Sequence, residues 1–205
     1  MVVFRIHPGI SVDLKSYTLL NMLDQLINHL RKDEAVWTRV QDIFQEKEIA
    51  AKTILLHEGE VSQNIYFIRK GCLRVWFNND GKDISFQFFF EGQAVSSFES
   101  FLGQKASMFN IESIEPCSLI AVHHKDFKRL MDEIPEVKNH FFDVVIGRLS
   151  NYANLFLSRI KNNPKKRYQE LIENQPEIVQ RVPQHYIASY LGITPISLSR
   201  IRNKK

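Results

Sequence analysis

The hydrophobic period of this chain changes twice, from helical to extended and back, and few architectures accept that order. From Tyr17 to about Phe44 apolar residues return every three or four positions: Leu19, Leu20, Leu23, Leu26, Ile27 and Leu30, then Val36, Val40 and Ile43 beyond the charged run Arg31 to Glu34. Two amphipathic helices are expected there, while the first dozen or so residues show no clear period. From about Ile49 to Phe127 the period falls to two and turn residues arrive regularly. From about Pro135 onward the helical period returns.

The middle region reads as a compact antiparallel β structure. Ile65 and Phe67 alternate with Tyr66 and Ile68, and Leu73, Val75 and Phe77 alternate with Arg74 and Trp76. Asn79-Asp80-Gly81 supplies a hairpin turn, because Gly and Asx side chains tolerate positive φ. Beyond it Ile84, Phe86, Phe88 and Phe90 are expected on one face with Ser85 and Gln87 on the other, and Leu119 to Val122 would close the structure. Short strands punctuated by Gly59, Gly71, Gly81, Gly92 and Gly103 fit a barrel, roll or jelly roll.

The next segment, from about Glu136 to Lys161, predicts a helix about 40 Å long. Phe142, Val145, Leu149, Tyr152 and Phe156 form a heptad-like seam suited to a second copy of the chain, and Phe141, Val144, Ile146, Leu155 and Leu157 lie off it. A helix with apolar residues on both sides can bury one face on its own β domain and another on a partner. A single broad core-facing stripe is the alternative. Asn162-Asn163-Pro164 then breaks the helix, since proline disfavours helical backbone in the residue before it.

After this break comes the most specific motif. Ala188 precedes Gly192 by four positions, and Leu198 and Ile201 follow it by six and nine. A helix-turn-helix needs a small residue where its helices touch, a glycine in the turn and apolar residues inside the second helix. Ile187, Leu191 and Ile193 complete the small core, while Thr194 and Pro195 suit the N-cap and first turn of the second helix. With Leu198 and Ile201 inside, Pro195, Ile196, Ser199, Arg200 and Asn203 face outward, and Thr194 and Ser197 complete the candidate DNA-binding surface. Arg200 suits bidentate contact to guanine and Asn203 contact to adenine; Arg202, Lys204 and Lys205 suit phosphates; Ile196 suits a thymine methyl or a protein partner. The competing reading is a helical hairpin that serves as a ligand-sensing or protein-interaction module without DNA.

Charge sharpens the division. The chain has 27 Lys/Arg and 23 Asp/Glu, but Lys161 to Lys205 holds nine against three, leaving eighteen against twenty for the rest. A basic tail on a slightly acidic body is the asymmetry expected of a chain that meets a polyanion at one end. No run of roughly 18 apolar residues spans a membrane and no signal-peptide core is present, so a cytoplasmic protein is expected. Cys72 and Cys117 stand apart without a CxxC and read as core cysteines. His123, His124 and Asp126 do not make a convincing metal site, no hydrolase or nucleotide-phosphate motif occurs, and neither an enzyme nor a cofactor is expected.

The order of parts, taken with Glu58-Gly59-Glu60, Lys70-Gly71-Cys72-Leu73-Arg74, Phe98-Glu99-Ser100-Phe101-Leu102-Gly103 and the run from Arg181-Val182-Pro183-Gln184 into Ile187-Ala188-Ser189-Tyr190-Leu191-Gly192-Ile193-Thr194, resembles the Crp/Fnr transcription regulators. The last run is similar to their Bacteroidetes-type branch. The resemblance covers the chain from about Tyr17 and implies an α+β fold: N-terminal helices, an antiparallel β-roll (double-stranded β-helix or jelly roll), a long dimerisation helix and an all-α C-terminal helix-turn-helix domain. The corresponding units are residues 1–134 as a cyclic-nucleotide-binding-like sensor, 135–163 as dimerisation helix and hinge, and 164–205 as DNA reader. DNA, a second copy of the chain and RNA polymerase are the implied partners.

Two departures from the family pattern matter. Its phosphate-binding cassette carries a Gly-Glu pair and then an Arg-Ser pair, and here Ala106 stands where the arginine belongs. Ser107 matches the serine, Glu99 lies about two residues late and Lys105 offers only a point charge. Ser96, Ser97, Phe98, Glu99, Lys105 and Ser107 are the candidate pocket residues, for an unidentified effector other than a cyclic nucleotide or for none. The family also continues into a β-hairpin wing, whereas this sequence runs only to Lys205, and Pro195 and Ile196 replace polar base-readers.

Overall fold

The computed structural model describes residues 23–24, 27–28, 31–32, 34–133 and 135–203. Most of the expected helix from Tyr17 to Leu30, and the closing Lys204 and Lys205, lie outside them; Leu23 and Ile27 are described and buried. The second expected helix is a short α1 (Glu34–Val40) that tightens into a 3-10 turn over Gln41–Ile43.

Eight strands follow: β1 (Gln45–Ile49), β2 (Ile54–Leu56), β3 (Asn64–Lys70), β4 (Leu73–Asn79), β5 (Lys82–Phe89), β6 (Ala94–Val95), β7 (Asn110–Ser113) and β8 (Cys117–His123). They form two antiparallel four-stranded sheets ordered β1-β8-β3-β6 and β2-β7-β4-β5, the β-roll of the α+β fold read from the sequence. Asp80 and Gly81, with φ of 51° and 80°, make the two-residue turn between β4 and β5. Inside the roll Tyr66, Ile68 and Leu119 of one sheet meet Leu73, Val75, Phe89 and Ile111 of the other. On the opposite face of the first sheet, Ile65, Phe67, Ile120 and Val122 pack on the flanking helices. Both faces of β3 are therefore covered, which is why four consecutive residues, Ile65 to Ile68, are buried.

One expected face is corrected. The β4–β5 register runs from Val75 opposite Gln87 to Trp76 opposite Ser85, so Phe86 is a bulge residue. The extra residue breaks the alternation: Phe86 and Phe89 turn into the roll, while Phe88 and Phe90 turn outward. The four residues Ile84, Phe86, Phe88 and Phe90 do not share a face.

Between β6 and β7 lies α2 (Phe98–Gly103). The sequence placed no helix between the closing strand and Pro135, but α3 (His124–Glu133) occupies that stretch, with Phe127 and Leu130 buried. The long α4 spans Pro135–Lys161. No described helix is long and apolar enough to cross a membrane.

The seam on α4 is also corrected. Val145 packs on the core shared by the first sheet and the helices, and Tyr152 lies 5.0 Å from the Phe86 ring, so both face their own roll. The stripe left outward is Phe142, Ile146, Leu149, Phe156 and Ile160, between 50% and 67% exposed, with Ala153 exposed between them. Steps of 4, 3, 4, 3 and 4 keep this set on one seam. A helix with two apolar stripes gives the same periodicity for either, and only packing decides which is inward.

Candidate nucleic-acid interface and effector cassette

Four short helices complete the chain: α5 (Pro164–Asn174), α6 (Pro176–Arg181), α7 (Gln184–Leu191) and α8 (Pro195–Asn203). Asn163 caps the first, its side chain accepting from Lys166 N at 3.0 Å, and Pro164 occupies the position where no backbone donor is needed. Gly192, at φ 66°, ends α7 in the left-handed conformation, and its amide reaches Ser189 O at 3.0 Å while Ile193 N reaches Ala188 O at 2.9 Å. Thr194 Oγ1 then accepts from Ser197 N at 3.1 Å and starts α8. Ala188 and Leu198 are fully buried where α7 and α8 cross, and Ile201 packs partly buried against the same cluster.

With that inner face fixed, Thr194, Pro195, Ile196, Ser199, Arg200, Arg202 and Asn203 stand exposed and Ser197 half-buried on α8. Arg200 and Arg202 form no ion pair with any described carboxylate, leaving their guanidinium groups free for an external anion. Lys204 and Lys205 lie outside the described residues.

The C-terminal helical module is held at its base by arginines. Arg159 donates to Tyr190 O at 2.6 Å, and Arg167 donates to Leu191 O at 2.9 Å and Asn162 O at 3.1 Å, satisfying carbonyls at the ends of α7 and α4. Its flank rests on the roll. Arg74, 1% exposed, sits 3.8 Å from the Tyr186 ring and pairs with Glu112 at 2.8 Å, while Arg181 grips Glu91 through two contacts of 2.7 and 2.8 Å and also meets Glu115. The Arg181 hydrogen bonds hold the Glu91 carboxyl down to about 2 against an ordinary 4.5. Local pattern carries no sign of this docking, because Arg74 sits at an alternating polar position of a strand and Arg181 closes a short helix.

The six candidate pocket residues do not converge. Ser107 Oγ donates to Ser97 Oγ at 2.9 Å or to Phe109 O at 2.8 Å, and Ser96 Oγ donates to Asn64 O at 3.0 Å, so the buried hydroxyls are spent on one another and on the backbone. Glu99 and Lys105 are exposed and pair with each other at 2.5 Å, because α2 turns Ser100 and Phe101 inward and Glu99 out. Phe98 packs edge-on to Phe141. A residue outside the expected set reaches this region: Arg148 of α4 lies 4.6 Å from the Phe98 ring and 4.7 Å from the Phe89 ring and donates to Ala94 O. Burial lowers its pKa to about 10, and no described carboxylate pairs with it. Periodicity hides such a residue, since an arginine on a long helix ordinarily faces water.

Comparison with known proteins agrees with this architecture. Residues 46–134 match the cyclic nucleotide-binding domain family. Over 105 residues the chain is 28% identical to the cAMP-activated global transcriptional regulator CRP of Pasteurella multocida (strain Pm70), the match covering 49% of each, so the chain spans about half the length of that relative. The fold is similar to the c-di-GMP responsive global regulator CLP of Xanthomonas campestris, with a TM-score of 0.66 at 14% identity over 84% of this chain and 91% of that one. A crp/fnr family structure from Eubacterium rectale gives a TM-score of 0.65 at 18% identity, covering 82% and 81%. Residues 46–134, which hold the β-roll, are thus the part of the chain similar to a cyclic nucleotide-binding domain. More particularly, the chain has the fold of the Crp/Fnr regulators.

Proposed function

We propose that this chain is a cytoplasmic DNA-binding transcription regulator of the Crp/Fnr type that acts as a homodimer on a two-fold-related site. It works by binding rather than by catalysis, with RNA polymerase as a further partner. The observation that carries the reading is α8, a capped helix fixed by Leu198, whose outer face presents Arg200 and Arg202 without an internal counter-ion. The exposed seam of α4 is where the second copy packs, and two recognition helices would then address half-sites about 34 Å apart or a multiple of that.

The effector of the roll is not a cyclic nucleotide. Ala106 supplies no guanidinium for a cyclic phosphate, and the hydroxyls of Ser96, Ser97 and Ser107 are already engaged. Binding to mixed genomic DNA over a salt series tests the main reading. A steep fall of affinity with salt, and weakened binding in Arg200→Ala, are expected; no binding at low salt would overturn it in favour of a protein-interaction module. Recovering the bound fragments reports the operator.

A further inference from the structure

The face of α4 turned to its own chain carries Val144, Val145, Tyr152 and Leu155, and Arg148 interrupts it between Val145 and Tyr152. Steps of three and four put Val145, Arg148 and Tyr152 on one side of the helix. An arginine in such a row must either carry its charge out to water along its stem or find partners inside. Arg148 does the second. Its guanidinium carbon lies over the Phe89 ring of β5 at 4.7 Å and over the Phe98 ring of α2 at 4.6 Å, and it donates to Ala94 O of β6. One side chain of α4 thus touches three other elements.

These partners are the ones a guanidinium needs. An aromatic face attracts positive charge, more strongly away from water, and a carbonyl accepts from an N–H edge. A carboxylate is the usual partner of a sheltered arginine, but none among the described residues pairs with Arg148. The residue is half-buried and its pKa falls to about 10, which leaves it charged at neutral pH. Phe98 opens α2 and meets Phe141 of α4 edge-on at 5.4 Å, so Arg148 makes a second link between the same two helices. The cassette's polar side chains are turned to other partners: Ser96 to Asn64 O, Ser97 to Ser107 and Glu99 to Lys105.

We infer that Phe89, Phe98 and Ala94 O form a binding site for a guanidinium-type cation and that Arg148 is its resident ligand, strapping α2 to the long helix so that the roll closes without a small molecule. The inference rests on the reading that no cyclic nucleotide serves the roll, and it needs nothing from the DNA reading. In the wild type the site is full and takes no outside cation. Shortening Arg148 empties it.

Arg148→Ala removes the part of the side chain that ethylguanidinium restores, and ethylurea has the same outline without the charge. The readouts are Tm of the full-length protein and hydrogen exchange of the Phe101 amide, which donates to Ser97 O at 2.7 Å at the start of α2. In Arg148→Ala this amide should exchange at least about ten-fold faster than in the wild type. Ethylguanidinium at about 20 mM should restore most of that protection and raise Tm, ethylurea should act at least about ten-fold more weakly, and the wild type should respond to neither. A residue that merely filled space would not distinguish the two compounds. Arg148→Lys keeps the charge but lacks the planar fork that spans two rings and a carbonyl; it is read if alanine does not fold, and faster Phe101 exchange is expected. Ethylguanidinium acting no better than ethylurea, or Phe101 exchange equal to wild type in the variant that is read, overturns the inference. Cyclic AMP added to the wild type checks the reading beneath it: a rise in Tm overturns both, whereas failure of ethylguanidinium with cyclic AMP silent removes the resident ligand alone.

Discussion

Ser189, on the first helix of the helix-turn-helix, spans a backbone step of Ser85's strand: its Oγ accepts from Ser85 N at 2.7 Å and donates to Asp83 O at 3.0 Å. One hydroxyl thereby ties the reader module to the edge of the roll. Ser189→Ala leaves the Ser85 amide, on a fully buried residue, without its acceptor and should cost about 1–3 kcal/mol. Faster hydrogen exchange of the Ser85 amide, with the rest of the roll unchanged, is the expected signature; unchanged exchange would show the contact to be dispensable.

The outward seam of α4 predicts a separation of effects along one helix. Ile146→Asp or Leu149→Asp puts a charge on the exposed stripe and should yield monomers in sedimentation at micromolar concentration while Tm stays close to wild type. Tyr152→Ala, on the roll-facing stripe, should lower Tm by removing the ring that covers Phe86 and leave association intact. The reverse pattern would restore Tyr152 to the interface.

Acid should weaken the clamp between Arg181 and Glu91. The Glu91 carboxyl is held at about 2 in the folded chain against 4.5 ordinarily, so its contribution is present above about 4.5 and is lost as pH falls from there toward 2. The Tm difference between wild type and Glu91→Gln should be largest near neutrality and shrink below pH 4.5. A difference that grows on acidification would contradict the clamp.

Gly71 admits no side chain. Its φ is +105°, and a Cβ there would lie 2.5 Å from Cys117 Sγ and 2.7 Å from Pro116 O. Gly71→Ala combines backbone strain with a clash in the core and should cost about 2 kcal/mol or more, read by urea unfolding. Gly81→Ala, where the same atom meets open space, isolates the strain alone.

Much of this architecture was legible from spacing. Ala188, Gly192, Leu198 and Ile201 locate the helix-turn-helix because contact, turn and inner face each demand a residue type at a fixed distance. The roll was legible from its turns, Asp80-Gly81 above all. What escaped depends on pairings that no local pattern encodes. The bulge at Phe86 is invisible in an unbroken run of alternating aromatics, since register belongs to the β4–β5 pair and not to β5. Val145 and Tyr152 were placed one stripe away from their position because two apolar stripes on a helix are equivalent until one finds its sheet. In α3 three apolar residues, Phe127, Leu130 and Met131, among charged ones gave too short a period to read. The cassette was legible only by subtraction, through Ala106; the Arg148 guanidinium between Phe89 and Phe98 is set by packing between distant elements.

The bulge that turns Phe88 and Phe90 outward has a consequence for movement. These rings share a buried cluster with Tyr168, Leu171, Ile178 and Leu198, so roll and reader have a common wall rather than a tether. Swinging the reader away would wet both rings, roughly 3–6 kcal/mol at the usual value for a large apolar side chain. Intermediate positions are therefore all but empty, occupied on the order of one part in a hundred to one in ten thousand, and any signal that repositions the reader must supply a second wall for it to land on.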